Sequence, residues 1–265
     1  MEENEMKEII YKKNIDFIKE HIDTLCNLSF TNIEDKDIAN PMWYGLDGDR
    51  TNLAYVIYSL LYKDKIPLEA FGKNYEGDTI NTANTLFGRK KYRCIVENKF
   101  EISNDNELLQ KISDFEKKYQ TIGNFYFLPC AKWYRSLNRY RAKISWNDFF
   151  YIFLLKLDSV FKGDCDDSQF LKIIDLNSYF FDDLLENKTL ESFCDFFFLQ
   201  DYYEQYEELS NFFNENAKDK YWWNKNQSDS YKKDYKQFCS KYIDISINLI
   251  DKRAKRIIQE LKKSL

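Results

Sequence analysis

The chain has a single histidine, His21, among its 265 residues. That excludes metal sites built on a histidine pair and leaves most histidine-based acid–base mechanisms without a second partner. It has six cysteines, Cys26, Cys94, Cys130, Cys165, Cys194 and Cys239, but no C-x-x-C pair. Zinc sites of ordinary spacing lose support, and scattered free thiols fit a reducing compartment, so the expected location is cytoplasmic. Seven glycines and three prolines are too few for the turn-dense pattern of an all-β sandwich or barrel, and they suit long helices. No apolar stretch approaches the roughly 20 residues of a membrane span, and no apolar secretory core follows Met1. No membrane partner is therefore expected. A phosphate-cradling G-x-x-x-x-G-K-S/T loop, a dinucleotide G-x-G-x-x-G turn and a G-x-S-x-G nucleophile elbow are all missing from the sequence, which removes support from the corresponding reaction classes.

What is present is aromatic and acidic. The 22 Phe, 20 Tyr and 5 Trp supply enough large apolar surface for a packed core and argue against disorder. A net charge of −5 means that only a local basic patch can attract a polyanion. The expected fold is mainly α, one compact helical domain over residues 1–265, with room for a short β-hairpin around residues 88–101, over Tyr92 to Val96. No fixed-period repeat or low-complexity linker divides the chain.

Helical periodicity is clear in several places. Ile15, Ile18, Ile22 and Leu25 share one face of an amino-terminal helix, and Leu53, Ala54, Ile57, Leu60 and Leu61 mark a helix that ends before Pro67. Residues 71–100 lose the period and read as loop. Asn104 and Glu107 are spaced as a capping box for a helix whose face is Leu108, Leu109, Ile112 and Phe115. That helix leads into Thr121-Ile122-Gly123-Asn124, where Gly123 is expected to supply a positive φ for the turn. Ser145 and Asp148 are spaced to cap the apolar run 149–155, expected to be buried nearly all round and to stop at Gly163. The last helix puts Ile243, Ile247, Ile250, Ala254, Ile257, Ile258 and Leu261 on one side, with Lys252, Arg253, Lys255 and Arg256 elsewhere.

Two polar segments carry the candidate chemistry. In Gly77-Asp78-Thr79-Ile80-Asn81-Thr82-Ala83-Asn84-Thr85, short polar side chains can cap helices, hold a hard cation or grip a phosphate, and turn-and-cap is the plainer of these readings. In the stretch from Trp133-Tyr134-Arg135 through Asn138-Arg139-Tyr140-Arg141, arginines alternate with rings. Such a pattern can fork onto phosphates and stack on bases, or can pair with acids on a solvated helix face. The candidate binding residues are Asp78, Thr79, Asn81, Asn84, Thr121, Gly123, Asn124, Arg135, Asn138, Arg139 and Arg141. Gly45-Leu46-Asp47-Gly48-Asp49 lacks the remaining ligands of an EF-hand and reads as a turn. His21 reads as a partly buried side chain. Asp164, Asp166 and Asp167, like Asp182 and Asp183, read as solvent-facing runs before they read as metal ligands.

Taken together, G-D-T-I-N-T at 77–82, T-I-G-N-F at 121–125, L-N-R-Y-R at 137–141, F-L-Q-D-Y at 198–202 and I-D-K-R-A-K-R-I-I at 250–258 resemble an uncharacterised bacterial family. That resemblance implies no activity. More loosely, Ile122-Gly123-Asn124-Phe125, Asn138 and the I-x-x-R of Ile250 to Arg253 are similar to the HNH-type carboxy-terminal nuclease domain of modification-dependent restriction enzymes. The sequence departs from that pattern in having no histidine upstream of Ile122 except His21, so the resemblance implies a degenerate or rewired nuclease fold.

Three functions follow as expectations. The first is a binding protein for nucleic acid or a nucleoprotein, in phage defence or counter-defence, acting through Arg135, Arg139 and Arg141. The second is a metal-dependent phosphodiesterase built on Asp78, Asn81, Asn124 and Asn138. The third is a protein–protein interaction module using the acidic, aromatic residues 201–223. No cofactor is specified by the sequence.

Overall fold

The computed structural model describes residues 3–39, 51–62, 78–82, 101–128, 150–176, 178, 181, 187–209 and 229–265. Among these the protein is mainly helical, as its few breakers imply. The helices that position the candidate site are α1 (Glu3–His21), α2 (Lys36–Ala39), α3 (Asn52–Tyr62), α4 (Asn106–Tyr119), α5 (Phe150–Lys162), α6 (Ser168–Leu176), α7 (Leu190–Phe196), α8 (Gln200–Tyr203) and α9 (Asp229–Ser264).

The 36-residue α9 is the spine. At about 1.5 Å per residue it runs roughly 54 Å, packing against α3, α4, α8 and a short 3-10 turn at Leu25–Asn27. Its buried side carries Phe238, Tyr242, Ile243, Ile250, Ala254, Ile257, Ile258 and Leu261, close to the expected stripe, with Ile247 half-buried. Buried side chains from α1 through α9 join one apolar cluster. Rings dominate its centre: Tyr202 meets Phe150 edge-on at 5.4 Å, and Tyr62 stacks on Phe196 at 5.2 Å. Such pairings add about 0.5–1.5 kcal/mol each beyond area burial.

Local chemistry sets the helix ends. Asp105, not Asn104, caps α4, its carboxylate accepting from the Leu108 amide at 3.0 Å; Asn104 instead closes a 3-10 turn. Helix α5 buries Phe150, Tyr151, Phe153, Leu154 and Leu157, as its dense apolar run implies. It ends at Gly163 with φ +78°, where the Gly163 amide donates to Val160 O and the Asp164 amide to Ser159 O. This double closure needs a left-handed residue at Gly163. Helix α7 ends with the same pair of bonds, Phe198 to Asp195 O and Leu199 to Cys194 O, but the left-handed residue there is Phe198, φ +59°. A bulky residue in that conformation costs about 1–2 kcal/mol.

Part of the loop expected over residues 71–100 is a strand. β1 (Asp78–Asn81) pairs antiparallel with β2 (Phe125–Leu128), in a register that joins Asp78 to Leu128 and Asn81 to Phe125. Four residues are too short for a period-two pattern to declare itself, and the partner lies far along the chain. Of the hairpin expected around residues 88–101 only Glu101 is described, in a turn; Tyr92 to Val96 and the capping pair Ser145 and Asp148 fall outside the described residues.

Candidate functional site

Three of the motifs singled out in sequence meet where α4 ends. A helix leaves its last carbonyls without amide partners; here the following turn and the distant Phe30 supply donors at this end. The Thr121 amide and hydroxyl both donate to Lys118 O, at 3.1 and 2.9 Å. The Asn124 side-chain amide donates to Tyr119 O at 2.8 Å, and the Phe30 amide to Gln120 O at 3.0 Å. Thr121 and Asn124 are fully buried. Both therefore do what short polar side chains do at turns, satisfying local backbone groups.

The turn is also tied to β1. The Thr82 amide donates to Asn124 O at 2.6 Å, the Thr82 hydroxyl to Asn124 Oδ1 at 3.1 Å, and the Tyr202 hydroxyl to Thr82 Oγ1 at 2.8 Å. One relay of side chains thus joins residues 82, 124 and 202, from three of the motifs. Burial pushes the Tyr202 hydroxyl well above its usual pKa, which keeps it a donor.

The carboxy-terminal motif closes the arrangement. Arg253, expected on the polar side of the last helix, is buried at 1% exposure. Its guanidinium donates to Ile122 O at 3.1 Å, Gly123 O at 3.0 Å and Phe197 O at 3.0 Å. A planar fork of fixed donors suits convergent carbonyls in a way an ammonium does not. Gly123 is needed for a reason other than the expected one. Its φ is not positive; a Cβ there would stand 2.2 Å from Ile250 O. The turn thus lies directly on the backbone of α9, and only glycine permits that approach.

No known protein family, curated protein or solved structure matches this chain. Its functional reading rests on its own residues.

Beside the buried node lies an ionic group. Asp201, 7% exposed, accepts from Arg256 Nε at 2.7 Å and faces Lys252 Nζ at 3.6 Å. Burial pushes its carboxyl up, but the Arg256 hydrogen bond and charge, with Lys252, outweigh burial and hold it below the ordinary value.

Of the candidate residues, Thr121, Gly123 and Asn124 come together in this node. Of the β1 candidates, Asn81 lies beside the node, opposite Phe125, whereas Thr79 and Asp78 lead away from it along the strand, opposite Phe127 and Leu128. Asn84, Arg135, Asn138, Arg139 and Arg141 lie outside the described residues, as do residues 45–49, Asp182, Asp183 and residues 210–223. Tyr202 and Arg253 belong to the node but were not among the expected site residues, although both sit inside motifs that the sequence made conspicuous. The signal available for Arg253 was its spacing, three after Ile250 and four before Ile257.

The remaining polar groups have structural settings. His21 is half-buried with its ring against Phe17 at 4.4 Å. Asp167 caps α6 through the Phe170 amide and pairs with Lys156. Cys26, Cys165, Cys194 and Cys239 are free thiols, and Cys94 and Cys130 lie outside the described residues. Among the described residues no three His, Cys, Asp or Glu side chains are grouped to hold a metal, and no helix is long and apolar enough to cross a membrane.

Proposed function

We propose that this is a non-catalytic binding protein whose partner is nucleic acid, engaged through the arginine and aromatic segment at Arg135, Arg139 and Arg141. The observation that carries this reading is where the polar motifs spend their hydrogen bonds. Thr82, Thr121 and Asn124 turn their groups inward onto Lys118 O, Tyr119 O and one another. An asparagine whose amide and carbonyl oxygen are both engaged in the interior is poorly placed to ligate a cation or orient water, so a phosphodiesterase centred on Asn124 loses its geometric support. These residues are better assigned to architecture. The node ends in β2, and β2 leads within a few residues into Trp133-Tyr134-Arg135. Guanidinium forks on phosphates and rings on bases then supply affinity without a reaction.

The test is binding of labelled single-stranded and duplex nucleic acid across a salt series. Affinity should fall steeply with salt, and the Arg135→Ala/Arg139→Ala/Arg141→Ala variant should lose most of it. Absent binding, or binding indifferent to both salt and the substitutions, overturns the proposal. So does cleavage of plasmid or RNA in Mg²⁺ or Mn²⁺ that disappears in Asp78→Ala.

A further inference from the structure

The chain is acidic overall, yet the last third of α9 is not. From Lys252 to Lys263 the side chains of Lys252, Lys255, Arg256, Gln259, Lys262 and Lys263 are solvent-facing or half-exposed. At 3.6 residues per turn they fall within an arc of about 120° and extend for about 16 Å. This face lies opposite the buried stripe of Ala254, Ile257 and Leu261.

Carboxylates meet the face at its margins. Asp201 pairs with Lys252 and Arg256 on one flank, where Glu204 and Asp195 also act on Arg256. Glu260 meets Lys263, and Asp23 meets Lys262. The Asp23 side chain is 81% exposed and the Lys262 side chain 49%, so solvent screens that pair and a stronger anion can displace it. Positive charge is therefore most available around Lys255, Lys262 and Lys263.

We propose that this face of α9 is a second contact surface for nucleic-acid phosphates. The proposal rests on the nucleic-acid reading above but uses different residues. A charge spread over about 16 Å suits a polyanion better than a single compact anion, since phosphates recur every few ångströms along a strand. The six side chains include no large apolar group, and a surface that lies on a bilayer needs an apolar face to bury. The surface is displayed on a rigid helix whose other side is locked into the core, so its cations keep their spacing in the free protein.

The experiment measures anisotropy of labelled duplex DNA and single-stranded RNA against the full chain across a salt series, in the Arg135→Ala/Arg139→Ala/Arg141→Ala variant and in three further proteins. These are the unaltered protein, Lys255→Gln/Lys262→Gln/Lys263→Gln, and a control of equal charge change, Lys12→Gln/Lys36→Gln/Lys172→Gln, made at exposed positions elsewhere. Circular dichroism checks that all three variants are folded. The helix variant should bind at least tenfold more weakly at low salt, and the slope of log affinity against log salt should fall by roughly 2–3, with the control unchanged. Binding that survives the helix substitutions but is lost in the Arg135, Arg139 and Arg141 variant overturns the second surface and leaves the first. Equal losses in helix variant and control overturn it by reducing the effect to net charge. Absent binding by the unaltered protein overturns both. Vesicles containing phosphatidylserine and polyglutamate are run in parallel; a stronger dependence on the three lysines there than with nucleic acid also overturns it.

Discussion

Replacing Gly123 by alanine should be among the most damaging single-methyl additions in this protein. The new Cβ would lie 2.2 Å from Ile250 O, 3.0 Å from Ile250 C and 3.0 Å from Ile250 Cγ2. Relief requires about 1 Å of separation, and the obstructing atoms are helix backbone, which cannot rotate aside as a side-chain tip can. Overpacking of this kind costs about 1–3 kcal/mol. Moving the turn also stretches the guanidinium bonds to Ile122 O and Gly123 O, and buried bonds to a charged donor are worth about 1.5–3 kcal/mol each. If stretching forfeits about the worth of one such bond, the combined loss is on the order of 3–6 kcal/mol, a large share of the roughly 5–15 kcal/mol that holds a typical domain together. Chemical unfolding in urea reads it as a lower midpoint at unchanged slope. Gly163→Ala is the informative comparison. It has nothing within 4 Å of its Cβ but a φ of +78°, so its cost is conformational only, about 1 kcal/mol. Gly123→Ala within 0.5 kcal/mol of the parent, or milder than Gly163→Ala, would refute the close-approach argument.

Arg253→Met should lower stability by about 3–5 kcal/mol, because it leaves three buried carbonyls without their donor. Arg253→Lys should recover only part of this, since one ammonium cannot reproduce the fork; full recovery in an unfolding titration would show that charge alone matters. Asp201, held below its ordinary pKa, binds fewer protons folded than unfolded. Its contribution is therefore complete above the unfolded value of about 4 and is lost as pH falls through the folded value. Unfolding free energies measured between pH 6 and 3 should show this decline, and Asp201→Asn should flatten it; an unchanged pH profile in that variant would remove the ion group from the account.

Periodicity made the helices legible, and the reasons for what it missed are physical. The apolar stripe of α9 can be counted from Ile243 to Leu261 because every third or fourth residue enters the same core. Arg253, three after Ile250 and four before Ile257, shares that face by count, and its charge is what sets it apart from the expected stripe; what periodicity cannot show is that carbonyls from two segments distant in sequence meet it there. β1 escaped notice for the same reason, its four residues gaining their partner only when β2 arrives. Asn104 and Asp105 are both good capping residues, and the preceding 3-10 turn, which takes up Asn104, leaves Asp105 as the cap of α4. Thr121-Ile122-Gly123-Asn124 reads from the sequence as the turn after α4, and its hydrogen bonds do close that helix, though without the positive φ expected at Gly123. What sequence left open was what the turn rests on.

The arginine clasp has a consequence for biosynthesis. Gly123 and Arg253 are 130 residues apart. At 5–20 residues per second, translation delivers the guanidinium on the order of ten seconds after the carbonyls it will bind. During that interval the turn and its strand lack their anchor, and the nascent chain depends on solvent or a chaperone to occupy those groups. Closure is thus a late event, however early the individual helices form.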